Sequence, residues 1–264
     1  MSIHATAVVD PRADVHPTTV IGPYVVIDGP VRIGPDCRID PFSVLMEPTT
    51  IGSGCRIHSH VTIGDVPQDN AYEGVESFVR IGNDCVIREG VTIHRGTSEG
   101  SETVVGHRCM LMTNAHVGHN CVLDDEVTLV SGALLGGYVE VGRRAVISGN
   151  AAVHQFVRVG ELAMIGGLGK ITQDIPPFFM TDRDGAIIGI NLVGLIRGGF
   201  SRDERLEIKQ AHRRIYRSGL SHAAAVEKLA ATISTPAGTR LLQFLEDEST
   251  RGISRGGSRR KKAA

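Results

Sequence analysis

The chain has 264 residues, 41% of them hydrophobic and 4% aromatic, with no Trp and a formal net charge of -1. That length holds one large domain and a small one, with enough apolar content for a core. The near-neutral balance gives no electrostatic reason to expect nucleic acid or an anionic membrane as a partner, and no apolar run approaches the ~20 residues that span a bilayer.

The first residues, MSIHATAVVDPRADVHP, lack the basic start and apolar stretch of a signal peptide, so a cytoplasmic protein is expected. From Ile3 to Ile171 an aliphatic side chain recurs every six residues in one phase. Of the 29 positions in that series 27 are Ile, Val or Leu; the exceptions are Asp69 and Glu99. Such a period belongs to a hexapeptide-repeat parallel β-helix, in which each hexad is a short strand and a turn. Three hexads make one triangular coil, and nine or so coils stacked at ~4.8 Å give a prism on the order of 45 Å long.

The expected β-helix covers residues 1–175. Two polar, turn-rich segments, 65–79 and 97–104, read as loops pushed out of the solenoid, because the phase resumes unchanged after each. Cys37, Cys55, Cys85, Cys109 and Cys121 all fall four residues after a repeat aliphatic, a slot that elsewhere holds small, mostly apolar residues such as Ala and Val. They read as small buried packing residues and not as a disulfide or metal set.

Pro176–Pro177 stops the repeat. A helical segment is expected over 190–250. It has a capping box at Ser201 and Glu204, a second helix from Ser221 and a third from Thr239 to Glu246. Residues 251–264 are basic and read as a disordered tail, or as a docking strip for an acidic partner.

The chemistry-bearing residues fall into register. The hexads starting at Val117, Leu135 and Val153 are expected to stack, which aligns His119, Gly137–Tyr138 and His154–Gln155. The loop with Gln68 and Asp69 leaves after the Ile63 hexad of that same face, and His116 sits at the neighbouring corner. Three readings stay open on these residues alone. They are surface histidines, a zinc set of the kind that gamma-class carbonic anhydrases share between subunits, or a general base for acyl transfer. An imidazole titrates near neutral pH and can take a proton from a hydroxyl as it attacks a thioester.

The strings VTIHRGT (91–97), LMTNAHVGHNC (111–121), AVHQF (152–156), QDIPPF (173–178), NLVGLIRGGFSR (191–202), IYRSGL (215–220) and STRG (249–252) resemble the acyl-carrier-protein-dependent UDP-N-acetylglucosamine O-acyltransferases of lipid A synthesis. The resemblance implies a mainly β fold, a left-handed parallel β-helix followed by α-helices, against the usual right-handed crossover preference. It implies a homotrimer that moves an (R)-3-hydroxyacyl group from acyl carrier protein to the 3-hydroxyl of UDP-N-acetylglucosamine, with no metal and no cofactor. Residue by residue, it makes His119 the general base and the Gly137 N–H the oxyanion donor. Gln68, Asp69, His116, Tyr138, His154, Gln155, Asn191 and Arg197 become substrate-binding positions. Gly167 becomes the position that sets acyl-chain length, a Gly favouring a longer chain.

The chain also departs from the family. Tyr138 stands where well-known members carry His, Ala71 where a loop Lys is common and Asn120 where Asp often follows the base. Val193 and Gly198 replace polar residues near the nucleotide. The alternatives are a related sugar-nucleotide acyltransferase acting on an amino group, and a paralogue with altered nucleotide specificity.

Overall fold

A computed structural model describes residues 2–257. Three parallel sheets of short strands wrap the prism, and successive hexads visit the three faces in turn. The first face begins with Ser2–Ile3, the second with Val8–Val9 and the third with Asp14–Val15. Within each coil the outward residue of the strand alternates with the inward aliphatic. The inward side chains from Ile21 to Ile171 form one continuous core, broken in the series only at the loops. Ile3 is 39% exposed on the end strand of its sheet.

The register explains why the loops leave the phase intact. Coil-to-coil partners are eighteen residues apart at the start (Val20 with Arg38, Arg38 with Arg56). Across the first loop Arg56 pairs with Val86, twelve residues further along, or two whole hexads. Across the second, Val86 pairs with Met110, one extra hexad. From there eighteen returns, with Met110 opposite Thr128. Both loops are shorter than expected at their C-terminal ends. Phe78–Ile81 and Glu102–Val105 are four-residue strands that pair with each other. Val79 and Thr103 there are buried, and strand pairing satisfies their backbone.

All five cysteines are buried and free. Cys37, Cys55, Cys85 and Cys109 enter successive strands of the first face, and each thiol points at a carbonyl of the next coil, such as Cys55 Sγ to Gly82 O at 3.1 Å. Cys121 does the same on another face, to Gly136 O at 3.1 Å. Burial pushes its thiol up to about 12, so it packs and does not react.

Beyond the repeat the sequence reading missed a hairpin. Phe179–Thr181 extends the first face in parallel, and Ile187–Ile190 returns antiparallel to it. Phe178 and Phe179, both fully buried, plug the end of the prism. Among the described residues four helices follow: α1 (Leu192–Arg197), α2 (Arg202–Arg217), α3 (His222–Ala230) and α4 (Pro236–Glu246). The Ser201–Glu204 capping box opens α2, and Ser221 caps α3. The last helix starts three residues earlier than expected, because Thr235 caps it and Pro236 fits its first turn. No helix of the described residues is long and apolar enough to cross a membrane.

The expected disordered tail needs correcting over 251–257. Asp174 and Ile253 form a bridge, and Ile187 N–H donates to Arg255 O at 2.8 Å. Unpaired backbone groups at the hairpin edge hold this strap in place. The rest of that stretch, 258–264, lies outside the described residues.

Candidate active site

On the second face Thr62, Thr92, His116, Leu134 and Ala152 stand in one column, coil upon coil. The turns after the last three strands carry His119, Gly137 and His154–Gln155, as the eighteen-residue register predicts. Together with Gln68 and Asp69 from the first loop they line a cleft of about 600 Å³. Gln68, His154 and Gln155 are exposed at its rim, and His119 lies at its floor.

Both ring nitrogens of His119 are engaged. Nδ1 is 3.0 Å from Asn120 Oδ1, and Nε2 is 3.4 Å from Asp69 Oδ2. The ring packs edge-on against Tyr138, with centroids 5.2 Å apart. Gly137 lies directly beneath: a Cβ there would overlap Cε1 and Nε2 of His119. The Gly137 N–H donates to no protein acceptor among the described residues.

His116 and His94 line the same cleft, with ring centroids 5.2 Å apart and edge-on. His116 Nδ1 is 2.7 Å from Thr92 Oγ1. Burial, with the His94 and His119 imidazoles beside it, holds His116 down to about 4. His94 is lowered too, by burial. Both rings are therefore neutral at neutral pH, suited to hydrogen bonding and not to charge.

The first loop is pinned by contacts that sequence reasoning did not single out. Arg95 donates to Glu47 O at 2.6 Å and to Tyr72 Oη at 2.9 Å. Tyr72 Oη donates to Val75 O at 3.0 Å. Asp69 Oδ1 accepts the Ala71 N–H at 2.9 Å, a local turn that aims its other oxygen at His119. Arg95 lies in the string VTIHRGT, but nothing in the sequence says that its guanidinium points back to the loop. Thr97, the last residue of that string, was missed as well; it contacts Asn120 and Tyr138.

Four expected site residues lie outside the cleft. Tyr138 does not line the cleft; its ring stacks on Phe156 and its hydroxyl meets Thr97 Oγ1. Asn191 and Arg197 line a separate cavity of about 640 Å³ against Val146 and Met164 of the first face. Asn191 is committed to the fold there: Oδ1 caps α1 through Gly194 N–H at 2.9 Å, and Nδ2 donates to Leu162 O at 2.9 Å. Val193 and Gly198 line the same cavity. Gly167 is exposed on the turn from the first face to the second. Among the described residues no three His, Cys, Asp or Glu side chains converge as a metal-binding set.

Known proteins share both sequence and shape with this chain. The family described as UDP N-acetylglucosamine O-acyltransferase, domain 2, matches residues 174–254, and the bacterial transferase hexapeptide family matches residues 30–65. The acyl-(acyl-carrier-protein)–UDP-N-acetylglucosamine O-acyltransferase of Paracidovorax citrulli is 46% identical over 261 residues, 96% of this chain and 99% of that one. Its counterpart in Myxococcus xanthus is 43% identical over 256 residues, 96% of this chain and 99% of that one. The solved UDP-N-acetylglucosamine acyltransferase of Francisella novicida superposes with a TM-score of 0.93 at 34% identity, over 97% of this chain and 95% of that one. The Bacteroides fragilis structure gives 0.93 at 36% identity, over 96% and 100%. The shared fold is the left-handed parallel β-helix with C-terminal helices. Given this cleft, this fold and relatives matched almost end to end, the chain belongs to the acyl-(acyl-carrier-protein)–UDP-N-acetylglucosamine O-acyltransferase family.

Proposed function

We propose that the chain transfers an (R)-3-hydroxyacyl group from acyl carrier protein to the 3-hydroxyl of UDP-N-acetylglucosamine. His119 Nε2 takes the hydroxyl proton as the sugar oxygen attacks the thioester carbonyl. The Gly137 N–H stabilises the oxyanion of the tetrahedral intermediate. Collapse breaks the C–S bond, and the imidazolium returns its proton to the departing carrier thiolate. Asp69, beside Nε2, orients the sugar hydroxyl. His116, Gln68, His154 and Gln155 hold the nucleotide sugar. The thioester supplies the driving force, and base, donor and alignment supply the rate.

The observation that carries this reading is the contact of base and backbone donor: Gly137 packs so closely on Cε1 and Nε2 of His119 that a Cβ would overlap them. A reacting carbonyl can thus meet both at once. The separate cavity with Asn191 and Arg197 supports a homotrimer, in which a first-face cavity of one chain adjoins the second-face cleft of the next. Five unpaired thiols suit the cytoplasm. An added Cβ at Gly167 meets only Gly149 O, at 3.8 Å, which leaves room for a long acyl chain.

The test is mass spectrometry of the product from purified protein, UDP-N-acetylglucosamine and a mixture of hydroxyacyl carrier proteins. An O-linked 3-hydroxyacyl product that disappears in His119→Ala, with the oligomer intact, is expected. No product from UDP-N-acetylglucosamine, with an amide formed when its 3-amino analogue is supplied instead, or undiminished turnover in His119→Ala, overturns the reading.

A further inference from the structure

We propose that Thr97 and Tyr138 are positioning residues for His119. A one-way hydrogen-bond chain from Tyr138 Oη through Thr97 Oγ1 to Asn120 Oδ1 holds the imidazole in the tautomer protonated on Nδ1, leaving Nε2 open as the base. This rests on the reading of His119 as base, and it gives Tyr138 a task other than touching substrate.

The direction of the chain is forced. A backbone N–H can only donate, and the Thr97 N–H meets the Asn120 side chain at 3.0 Å, so the atom it meets is the carbonyl oxygen. The Thr97 hydroxyl, also 3.0 Å from that oxygen, must donate to it. Its lone pair is then left for the Tyr138 hydroxyl at 2.7 Å, which donates in turn. His119 Nδ1, 3.0 Å from the same oxygen, can bond to it only by carrying the proton. Nε2 is left with a lone pair on the cleft side, 3.4 Å from Asp69 Oδ2, the one contact that pulls toward a proton on Nε2 and against which the network acts.

The chain matters because Asn120 is an amide. A carboxylate there would attract the Nδ1 proton by charge and hold an imidazolium afterwards. An amide oxygen does so more weakly and can turn its NH₂ group to the ring instead. A neutral His side chain in water favours the form protonated on Nε2, which is useless as a base here. Two donors from Thr97 fix which end of the amide faces the imidazole, and the Tyr138 hydroxyl polarises the Thr97 hydroxyl that supplies one of them. The Tyr138 ring is locked for this task. It stacks on Phe156 at 4.8 Å and 13° and stands edge-on to His119 at 89°. Two departures from the family pattern, Asn120 and Tyr138, thus join in one network through Thr97, which is itself buried.

The experiment uses full-length protein labelled with ¹⁵N-histidine, without substrate. The His119 ring signals are assigned by their loss in His119→Gln, and long-range ¹H–¹⁵N spectra read the tautomer. Wild type is expected to show the Nδ1–H form. Thr97→Val and Tyr138→Phe are expected to shift His119 toward Nε2–H. They should lower kcat by about 3- to 30-fold, a fraction of what a general base contributes, and leave KM for UDP-N-acetylglucosamine within about twofold. Thr97→Ser, which keeps the hydroxyl, should restore both spectrum and kcat. If Thr97→Val does not fold, Tyr138→Phe and Thr97→Ser carry the test alone. A Tyr138→Phe protein with a raised KM, unchanged kcat and an unchanged His119 spectrum makes Tyr138 a substrate contact and overturns the proposal. Wild-type turnover in His119→Gln sinks the underlying base reading instead, whatever the tautomer.

Discussion

A methyl group at Gly137 would overlap Cε1 and Nε2 of His119. Gly137 is therefore required by packing as well as by the role proposed for its N–H. Gly137→Ala keeps the N–H but must displace either the imidazole or the turn. A shift near 1 Å at a reacting centre costs about 10²-fold in rate. We expect kcat to fall by at least that factor and the protein to melt several degrees lower. Adding His119→Ala removes the obstructing ring, so the double variant should melt above Gly137→Ala alone. A double-mutant cycle by calorimetry checks this, and additive losses would mean that the two residues do not meet.

Much of this site is legible in the sequence alone. The six-residue period, counted in eighteens, placed His119, Gly137 and His154 on one face, because a solenoid converts sequence spacing directly into spatial stacking. What stayed illegible was everything that depends on a side chain leaving its own hexad. Arg95 reaches to Glu47 and Tyr72, and Thr97 reaches to Tyr138, over separations that no local period encodes. The position of Asn191 followed from the family motif, but its use as a helix cap became visible only with α1 in place. The hairpin through Phe179 and Ile187 was hidden because two short apolar runs after a Pro pair carry no period.

Asp174 joins the prism to the C-terminal strap. Its carboxylate is fully buried and accepts from Arg158 Nε at 2.8 Å and from Ser249 Oγ at 2.7 Å. Removing one partner of such a pair leaves a buried charge uncompensated, at a cost of about 3–5 kcal/mol. Arg158→Ala should lose that much in urea unfolding, including the packing of its guanidinium over Phe244 at 4.5 Å. Arg158→Met with Asp174→Leu, which removes both charges, should be the more stable of the two proteins. Equal stability of Arg158→Ala and wild type would show that the pair is screened.

Acid should weaken the fold through the cleft. His116 titrates near 4 in the folded chain, against 6.5 for an ordinary histidine, because burial opposes its charge. Between those two values the unfolded chain binds a proton that the folded chain does not, so stability falls as pH drops through that window. His94, lowered for the same reason, acts in the same sense. His116→Gln should make the decline in urea midpoint between about pH 7 and pH 4.5 shallower without abolishing it. An unchanged slope would mean that His116 is protonated in the folded state.

The first loop offers the sharpest test of the architecture, because its length is two whole hexads. Deleting residues 66–77 would join Asp65 to Phe78 and leave the hexad Ile63, Gly64, Asp65, Phe78, Val79, Arg80. That matches the natural hexad Val153, His154, Gln155, Phe156, Val157, Arg158 in every slot that packs: an inward aliphatic, a Phe at the turn and a small Val before the next strand. Phe156 already adopts the left-handed conformation that Phe78 would need, with φ 65°. The shortened chain should fold as a prism and melt within several degrees of wild type. Its transfer activity should fall about 10²-fold or more, since Gln68 and the Asp69 carboxylate beside Nε2 are gone. Deleting eleven residues, 66–76, shifts Ile81 by one position. Every later aliphatic then meets the wrong face of its neighbour, and cooperative unfolding should be lost. Circular dichroism melts of the two deletions decide the matter: equal behaviour would show that the loop length carries no phase information.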